Sequence, residues 1–269
     1  MASPNSIPPA KPLNCRSGAE VPARSANVGR KTVLVTGAAG SLGSALALAC
    51  ARQGYRTVLL DSDRRGLERV FDRAAEEGLP APVLHPLDLS VAGPHEFQNM
   101  LEAIERQFGG LDALVHCAAR FHGLTPLEHV APEEWLLHLQ VNLNAAWLLT
   151  ALCLPALRMS GVGRLYFLLE DLRKVGGPLW GPYGVSKHAL RALVGQLAAE
   201  CQGSGIQVLG INPGPMRSPL RSSAYLAENP NSLPEPEAAA ADIVALLSGR
   251  REPSGVYQDL PLPHAEIGG

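Results

Sequence analysis

Apolar residues along the chain fall into short continuous runs separated by stretches with helical spacing. Thr32–Thr36 is such a run, and the stretch Gly43–Gln53 that follows is ended by Gly54. Further runs occur at Thr57–Leu60, Val83–Pro86, Leu111–Cys117, Leu165–Leu169 and Ile206–Ile211. Helical stretches lie between them at Arg64–Glu77, Pro94–Phe108 (closed by Gly109-Gly110), Pro132–Met159 and Tyr183–Cys201. Pro155 predicts a kink within the longest of these. Glu237–Leu247 predicts a last helix and Gly255–Gln258 a last short strand. Strands apolar on both faces must be covered on both faces. Alternating with helices, they predict an α/β fold with a doubly wound parallel sheet, built by right-handed crossovers. No repeat or second domain interrupts the pattern from residue 31 to residue 269.

Two segments fall outside it. Residues 1–30 are rich in Pro, Ser, Ala and Arg and lack periodicity, which predicts a disordered lead-in. They carry no apolar core of the secretory type, so an untargeted tail and a cytoplasmic location are expected. Residues 213–236 are dense in Pro, Ser and Asn and predict a long loop that closes over a substrate.

Composition narrows the function classes. The chain has 269 residues, 46% apolar content and a formal net charge of −2. That charge, with dispersed Arg and Lys, argues against nucleic-acid binding. No uncharged apolar run is read as approaching the roughly 20 residues that span a bilayer, so no membrane partner is expected. Cys15, Cys50, Cys117, Cys153 and Cys201 are odd in number and show no C-x-x-C pair. Reduced thiols fit better than a disulfide framework. The histidines show no metal-type spacing, so no metal site is expected. No G-x-S-x-G nucleophile elbow occurs.

Chemistry is concentrated at two places. Thr36-Gly37-Ala38-Ala39-Gly40-Ser41-Leu42-Gly43 joins the first strand to the first helix. Glycines there let the backbone approach a phosphate, and a helix N-terminus supplies free N–H groups and a positive dipole end. The predicted ligand is a dinucleotide in a Rossmann-type site. Asp61, at the end of the second strand, could accept hydrogen bonds from ribose hydroxyls and would repel a 2′-phosphate. NAD is therefore expected over NADP, with Arg64 and Arg65 nearby as the opposing consideration. The second place is Tyr183-Gly184-Val185-Ser186-Lys187, where a spacing of four sets Tyr183 and Lys187 on one helix face. An ammonium near a phenol favours phenolate and makes it a candidate general acid or base.

Together these features resemble the short-chain dehydrogenase/reductase family over roughly residues 31–260. Asp88, Cys117-Ala118-Ala119, Asn142 in Gln140-Val141-Asn142, and Asn212-Pro213-Gly214 strengthen the resemblance by their order and spacing. It implies an alcohol–ketone oxidoreductase in which Tyr183 exchanges a proton with a small-molecule substrate. Lys187 would bind the nicotinamide ribose, and Asn142 would hold a relay water. Gly37, Ser41, Leu42 and Gly43 would hold the pyrophosphate, and Asp88 and Leu89 would lie against the adenine. Ala118, Pro213, Gly214 and Ser218 would complete the cofactor site. The helices over 132–159 and 183–201 would pair in a homodimer, often within a tetramer.

The sequence also departs from the family pattern. A serine is expected thirteen residues before the tyrosine, and Glu170 stands there. The usual Asn-Asn-Ala-Gly reads His116-Cys117-Ala118-Ala119, with His116 expected to be structural. Ser41 replaces the second glycine or alanine of the turn. An ionised Glu170 would oppose negative charge on a carbonyl oxygen or accept the proton of an alcohol, and a protonated one could instead donate a hydrogen bond. A noncatalytic NAD-binding sensor or scaffold is therefore the alternative expectation. A nucleotide-sugar epimerase or dehydratase is a third, suggested by the Gly37-x-x-Gly40-x-x-Gly43 spacing.

Overall fold

Strand β1 (Thr32–Thr36) is buried at every position. Its side chains alternate between two cores. Val33 and Val35 belong to one, and Leu34 belongs to the other. This is the period-two consequence of a strand covered on both faces. Each fully buried aliphatic side chain contributes roughly 1.5–3 kcal/mol relative to exposure. A run with no polar positions can satisfy both faces only inside such a sandwich.

The computed structural model describes residues 29–261. The predicted N-terminal lead-in therefore falls outside the described residues, except for its last two positions. After β1 come α1 (Ser41–Arg52), β2 (Arg56–Asp61), α2 (Arg64–Glu76), β3 (Val83–Pro86), α3 (Pro94–Phe108) and β4 (Ala113–His116). They are followed by α4 (Pro132–Leu139), α5 (Ala145–Met159), β5 (Arg164–Leu168), α6 (Leu172–Val175) and α7 (Gly181–Glu200). The chain continues with β6 (Gln207–Asn212), α8 (Pro219–Ala224), α9 (Pro236–Leu247) and β7 (Tyr257–Asp259). The seven strands form one parallel sheet in the order β3-β2-β1-β4-β5-β6-β7. Leu46, Leu67 and Ile243, from α1, α2 and α9, fill one face. Phe97, Leu149 and Leu190, from α3, α5 and α7, fill the other. The predicted α/β, doubly wound, single-domain fold is present.

Several boundaries differ from expectation. The last strand begins at Tyr257, and the helix carrying Tyr183 begins at Gly181. The long loop is not structureless. It contains α8 and a short 3₁₀ turn at Pro230–Ser232. The long helical stretch also carries an irregularity that was not expected. Helix α5 runs through Pro155, whereas Gln140–Asn144 forms a π-helical turn between α4 and α5.

The reading of the chain as lacking any membrane-length segment needs correction. Pro132–Met159 is one continuous helical stretch of 28 residues, long and apolar enough to cross a membrane by length and composition. Gln140, Asn142 and Asn144 interrupt its apolarity without adding charge, which hid it. In the fold, Leu149, Cys153 and Leu157 face the core, while Leu136, Trp147 and Met159 are exposed.

Candidate active site

Strand β1 pairs with β2 on one side and β4 on the other, so the chain reverses its winding direction there. Connections leave the strand ends in opposite directions at such a point and open a crevice. A cleft of about 840 Å³ occupies this position. Its lining includes the glycine turn, Asp61, the 117–119 segment, Glu170, Tyr183, Lys187 and the 212–221 segment.

The glycine turn is shaped for close approach. Gly37 has φ +66°, and a Cβ there would lie 2.6 Å from the backbone of Ala118. A Cβ on Gly43 would collide with the carbonyl oxygen of Gly37. Helix α1 has no side-chain cap at Gly40, and first-turn N–H groups have no acceptor within their own helix. Ser41, Leu42 and Gly43 thus present uncapped amides to the cleft, which fits the pyrophosphate of a dinucleotide. Asp61 accepts hydrogen bonds from the amides of Ala39 (3.0 Å) and Asp63 (2.9 Å), tying the turn to the end of β2. Its carboxylate faces the same cleft.

Not every predicted cofactor residue lines the cleft. Ala118, Pro213, Gly214 and Ser218 do. Asp88 instead accepts from the Ser90 amide at 2.8 Å, and Leu89 is buried. Neither is among the lining residues. Asn142 sits in the π-helical turn and clamps Arg120 through both backbone groups. It accepts from the Arg120 amide (2.6 Å) and donates to the Arg120 carbonyl (3.0 Å). It also donates to Ser186 Oγ at 3.0 Å, which couples it to α7. The widened turn places that amide where a regular helix would leave it one residue out of phase.

Helix α7 carries Tyr183 and Lys187 into the cleft, as their spacing predicts. Both are almost fully buried. Lys187 Nζ donates to the Leu168 carbonyl at 2.7 Å and lies 5.6 Å from the Tyr183 ring centroid. Burial lowers the Lys187 pKa, opposed by the charge of Glu170. The expected depression of the tyrosine pKa is not found. Burial drives the Tyr183 pKa well above 10, and the charge of Glu170 and the hydrogen bond it accepts push further the same way. That hydrogen bond runs from Tyr183 Oη to Glu170 Oε1 at 2.8 Å. His116 is structural as expected. Its Nε2 lies 2.9 Å from Thr150 Oγ1, its ring stacks on Phe167, and burial pulls its pKa down to about 3. Cys117 is held as a thiol, its pKa pushed up to about 12 by burial.

Two aromatic residues beside Tyr183, Phe121 and Trp180, were not anticipated from sequence, whereas Tyr225 was expected in the pocket from its place in the 213–236 loop. Trp180 lies 5.7 Å from Tyr183, 5.3 Å from Phe121 and 6.1 Å from Tyr225, centroid to centroid. Phe121 stands edge-on to Tyr183 at 5.1 Å. Leu179 adopts φ +71°, rare for a branched residue, and precedes Trp180. The segment 179–181 is a strained turn that carries the indole to the tyrosine. Arg221 stacks on Tyr225 at 3.6 Å and pairs with both oxygens of Glu228 at 2.6 and 2.7 Å. These residues come from three separate segments, at 121, 179–183 and 221–228. Aromatic content of only 5% was the available signal, and it does not say where the rings meet.

A doubly wound sheet, a glycine turn at its winding reversal and a Tyr–Lys pair across the same cleft define a nucleotide-binding protein of the dehydrogenase type. Comparison with known proteins gives the family. A sequence model of the short chain dehydrogenases matches residues 31–229, and the chain belongs to that family. It is 33% identical over 216 residues to the uncharacterized oxidoreductase YciK of Escherichia coli K12, covering 80% of this chain and 84% of that one. A solved structure from Pseudomonas syringae, described as a short chain dehydrogenase, superposes with a TM-score of 0.81 at 32% identity. That match covers 90% of this chain and 97% of the other. A Shigella flexneri structure of the same description, complexed with NADP, gives a TM-score of 0.80 at 30% identity. It covers 85% of this chain and 96% of the other.

Proposed function

We propose that the chain is a dinucleotide-dependent oxidoreductase that interconverts a small alcohol and its ketone, with Tyr183 as the proton-exchanging group. The observation that carries this is the single cleft joining the uncapped amides of α1 to the buried pair Tyr183 and Lys187. Ser41, Leu42 and Gly43 would hold the pyrophosphate and Asp61 the adenosine ribose. Ala118, Pro213, Gly214 and Ser218 would flank the nicotinamide end. When bound, a nicotinamide dinucleotide supplies the hydride chemistry. Asp61 favours NAD, because a carboxylate at the end of β2 repels a 2′-phosphate. The NADP held by the Shigella relative is the consideration on the other side.

The chain's own residues handle the proton. In the oxidation direction, the substrate O–H would pass its proton to the ionised oxygen of Tyr183, Oη. An ionised Glu170 opposes negative charge on the substrate oxygen. Two like charges about 4 Å apart repel by about 4 kcal/mol at an effective dielectric of 20. That figure bounds the penalty on an oxyanion beside Glu170, and it falls on the transition state that oxidation and reduction share. The exposed residues Leu136, Trp147 and Met159, on the helix spanning 132–159, would face a second copy of the chain.

The raised pKa of Tyr183 supports one competing reading, a dinucleotide-binding protein without turnover. Calorimetric titration with NAD and with NADP, followed by a turnover screen on alcohols, separates the two. The expected result is tighter NAD binding and turnover that Tyr183→Phe lowers at least a hundredfold. Dinucleotide binding without turnover would support the competing reading. Absence of any dinucleotide binding would overturn both. Tighter NADP binding would overturn the role given to Asp61.

A further inference from the structure

Glu170 occupies the substrate end of the cleft, where only the Tyr183 hydroxyl among the described residues donates a hydrogen bond to it. The cations sharing that cleft hydrogen-bond elsewhere, although Lys187 and Arg221 lie close enough for their charges to act on Glu170. Lys187 donates to the Leu168 carbonyl, and Arg221 is clasped by both oxygens of Glu228. Arg173 lies 3.6 Å from Asp171, and Arg191 stacks on Tyr257 at 3.8 Å. Lys174 is on the exposed rim. The cleft that Glu170 lines is also lined by Trp180, Tyr183 and Tyr225, with Trp180 packed on the ring of Tyr183, the partner of Glu170. A carboxylate without a hydrogen-bonded cation, beside aromatic faces, is the chemistry that receives a positively charged nitrogen.

Resting on the oxidoreductase reading, we propose that the substrate is a vicinal amino alcohol, bound with its ammonium on Glu170 and its hydroxyl on Tyr183. Glu170 Oε1 and Tyr183 Oη are 2.8 Å apart, a spacing that an ammonium and a hydroxyl on neighbouring carbons match. The ammonium also resolves the electrostatic conflict at this site. Charge developing on the substrate oxygen would otherwise face a carboxylate with no hydrogen-bonded cation. A substrate cation placed between them neutralises that carboxylate and attracts the oxygen's charge. The aromatic walls add attraction for the cation through their ring faces. A substrate bearing a carboxylate at the same position would meet repulsion instead.

Three ligands that share a ring test the proposal: 2-aminocyclohexanol, cyclohexanol and 2-hydroxycyclohexanecarboxylate. Their binding to the full chain is measured by calorimetry, with and without saturating dinucleotide. The expected order is amino alcohol tightest, by at least tenfold over cyclohexanol, with the hydroxy acid weakest. In Glu170→Gln, an isosteric change, the amino alcohol should lose that tenfold advantage. In Trp180→Leu it should keep part of it, because the carboxylate remains. Equal binding of all three by the wild-type chain, or preference for the hydroxy acid, would overturn the proposal. The wild-type order decides the matter even if Glu170→Gln does not fold. Failure of dinucleotide binding with the amino alcohol preference intact would sink the oxidoreductase reading and leave the cation site standing. Dinucleotide binding and turnover without that preference would do the reverse.

Discussion

Glu170 and Tyr183 share one hydrogen bond, and much of the chemistry turns on it. The carboxylate raises the pKa of the phenol by its charge and by accepting that bond, in addition to the larger effect of burial. A base with a raised pKa is available only at higher pH. Replacing Glu170 with Ser removes both contributions, so the Tyr183 pKa should fall. The ascending limb of kcat/KM for alcohol oxidation should then move to lower pH. Ketone reduction should rise at least tenfold, about 1.4 kcal/mol of barrier, because a hydroxyl donates to an oxyanion that a carboxylate repels. A pH–rate profile unchanged in Glu170→Ser would show that the carboxylate does not act on the tyrosine. Sequence spacing located Glu170 relative to Tyr183, but not the direct contact between them. Spacing also set Lys187 on the same face as the tyrosine without revealing that desolvation would outweigh its charge. A nearby ammonium lowers a phenol's pKa and desolvation raises it, and the larger effect sets the direction.

At the scale of elements, the turn from β1 into α1 is the feature the chain specifies most tightly. Gly43 faces Gly37 with no room for a Cβ. Gly43→Ala should therefore widen the turn, weaken dinucleotide binding at least tenfold and cost about 1–3 kcal/mol through overpacking. Gly255, where a Cβ would meet nothing within 4 Å, is the control position. Gly255→Ala should leave binding and melting unchanged, and calorimetry with thermal melts on both variants checks the pair. If Gly43→Ala binds dinucleotide as the wild type does, the turn does not hold the phosphates. The helices were legible because their apolar stripes and glycine stops are local signals. The π-helical turn at Gln140–Asn144 was not, since it depends on Asn142 reaching Arg120 across the fold. Helix α8 was hidden because Ser and Pro dominate its sequence. Ser218 caps it by accepting from the Arg221 amide at 3.1 Å, and Pro219 occupies its first turn.

Two consequences belong to the whole molecule. His116 is buried as a neutral ring, so its folded pKa of about 3 lies below the ordinary value of 6.5. Between those values the unfolded chain takes up a proton that the folded chain refuses. This group therefore removes stability as pH falls from 6.5 toward 3, by about 1.4 kcal/mol per pH unit. In His116→Asn, the stability lost between pH 7 and pH 4 should shrink by about 3 kcal/mol, measured by urea unfolding at both pH values. An unchanged loss would mean that other groups set the acid limit. The second consequence concerns association. Trp147 is 48% exposed on a helix whose opposite face is core. If that face meets a second copy, Trp147→Glu should reduce the solution mass to that of one chain in light scattering, with the fold intact. A wild-type chain that is already monomeric would refute the interface.

The sequence by itself determined the alternation of strands and helices, the glycine turn, and the pairing of Tyr183 with Lys187. These depend on periodicity and on steric rules that act over a few residues. They were enough to specify a doubly wound sheet with a nucleotide site at its winding reversal. Tertiary structure alone decided what surrounds the tyrosine. Phe121, Trp180 and Tyr225 come from separate segments, and the Glu170 carboxylate meets the Tyr183 hydroxyl only because the segment that leaves the end of β5 is brought against the start of α7. Desolvation is likewise a property of the packed molecule. It raises the Tyr183 pKa and lowers that of Lys187, and no local pattern of residues encodes how much water a fold excludes.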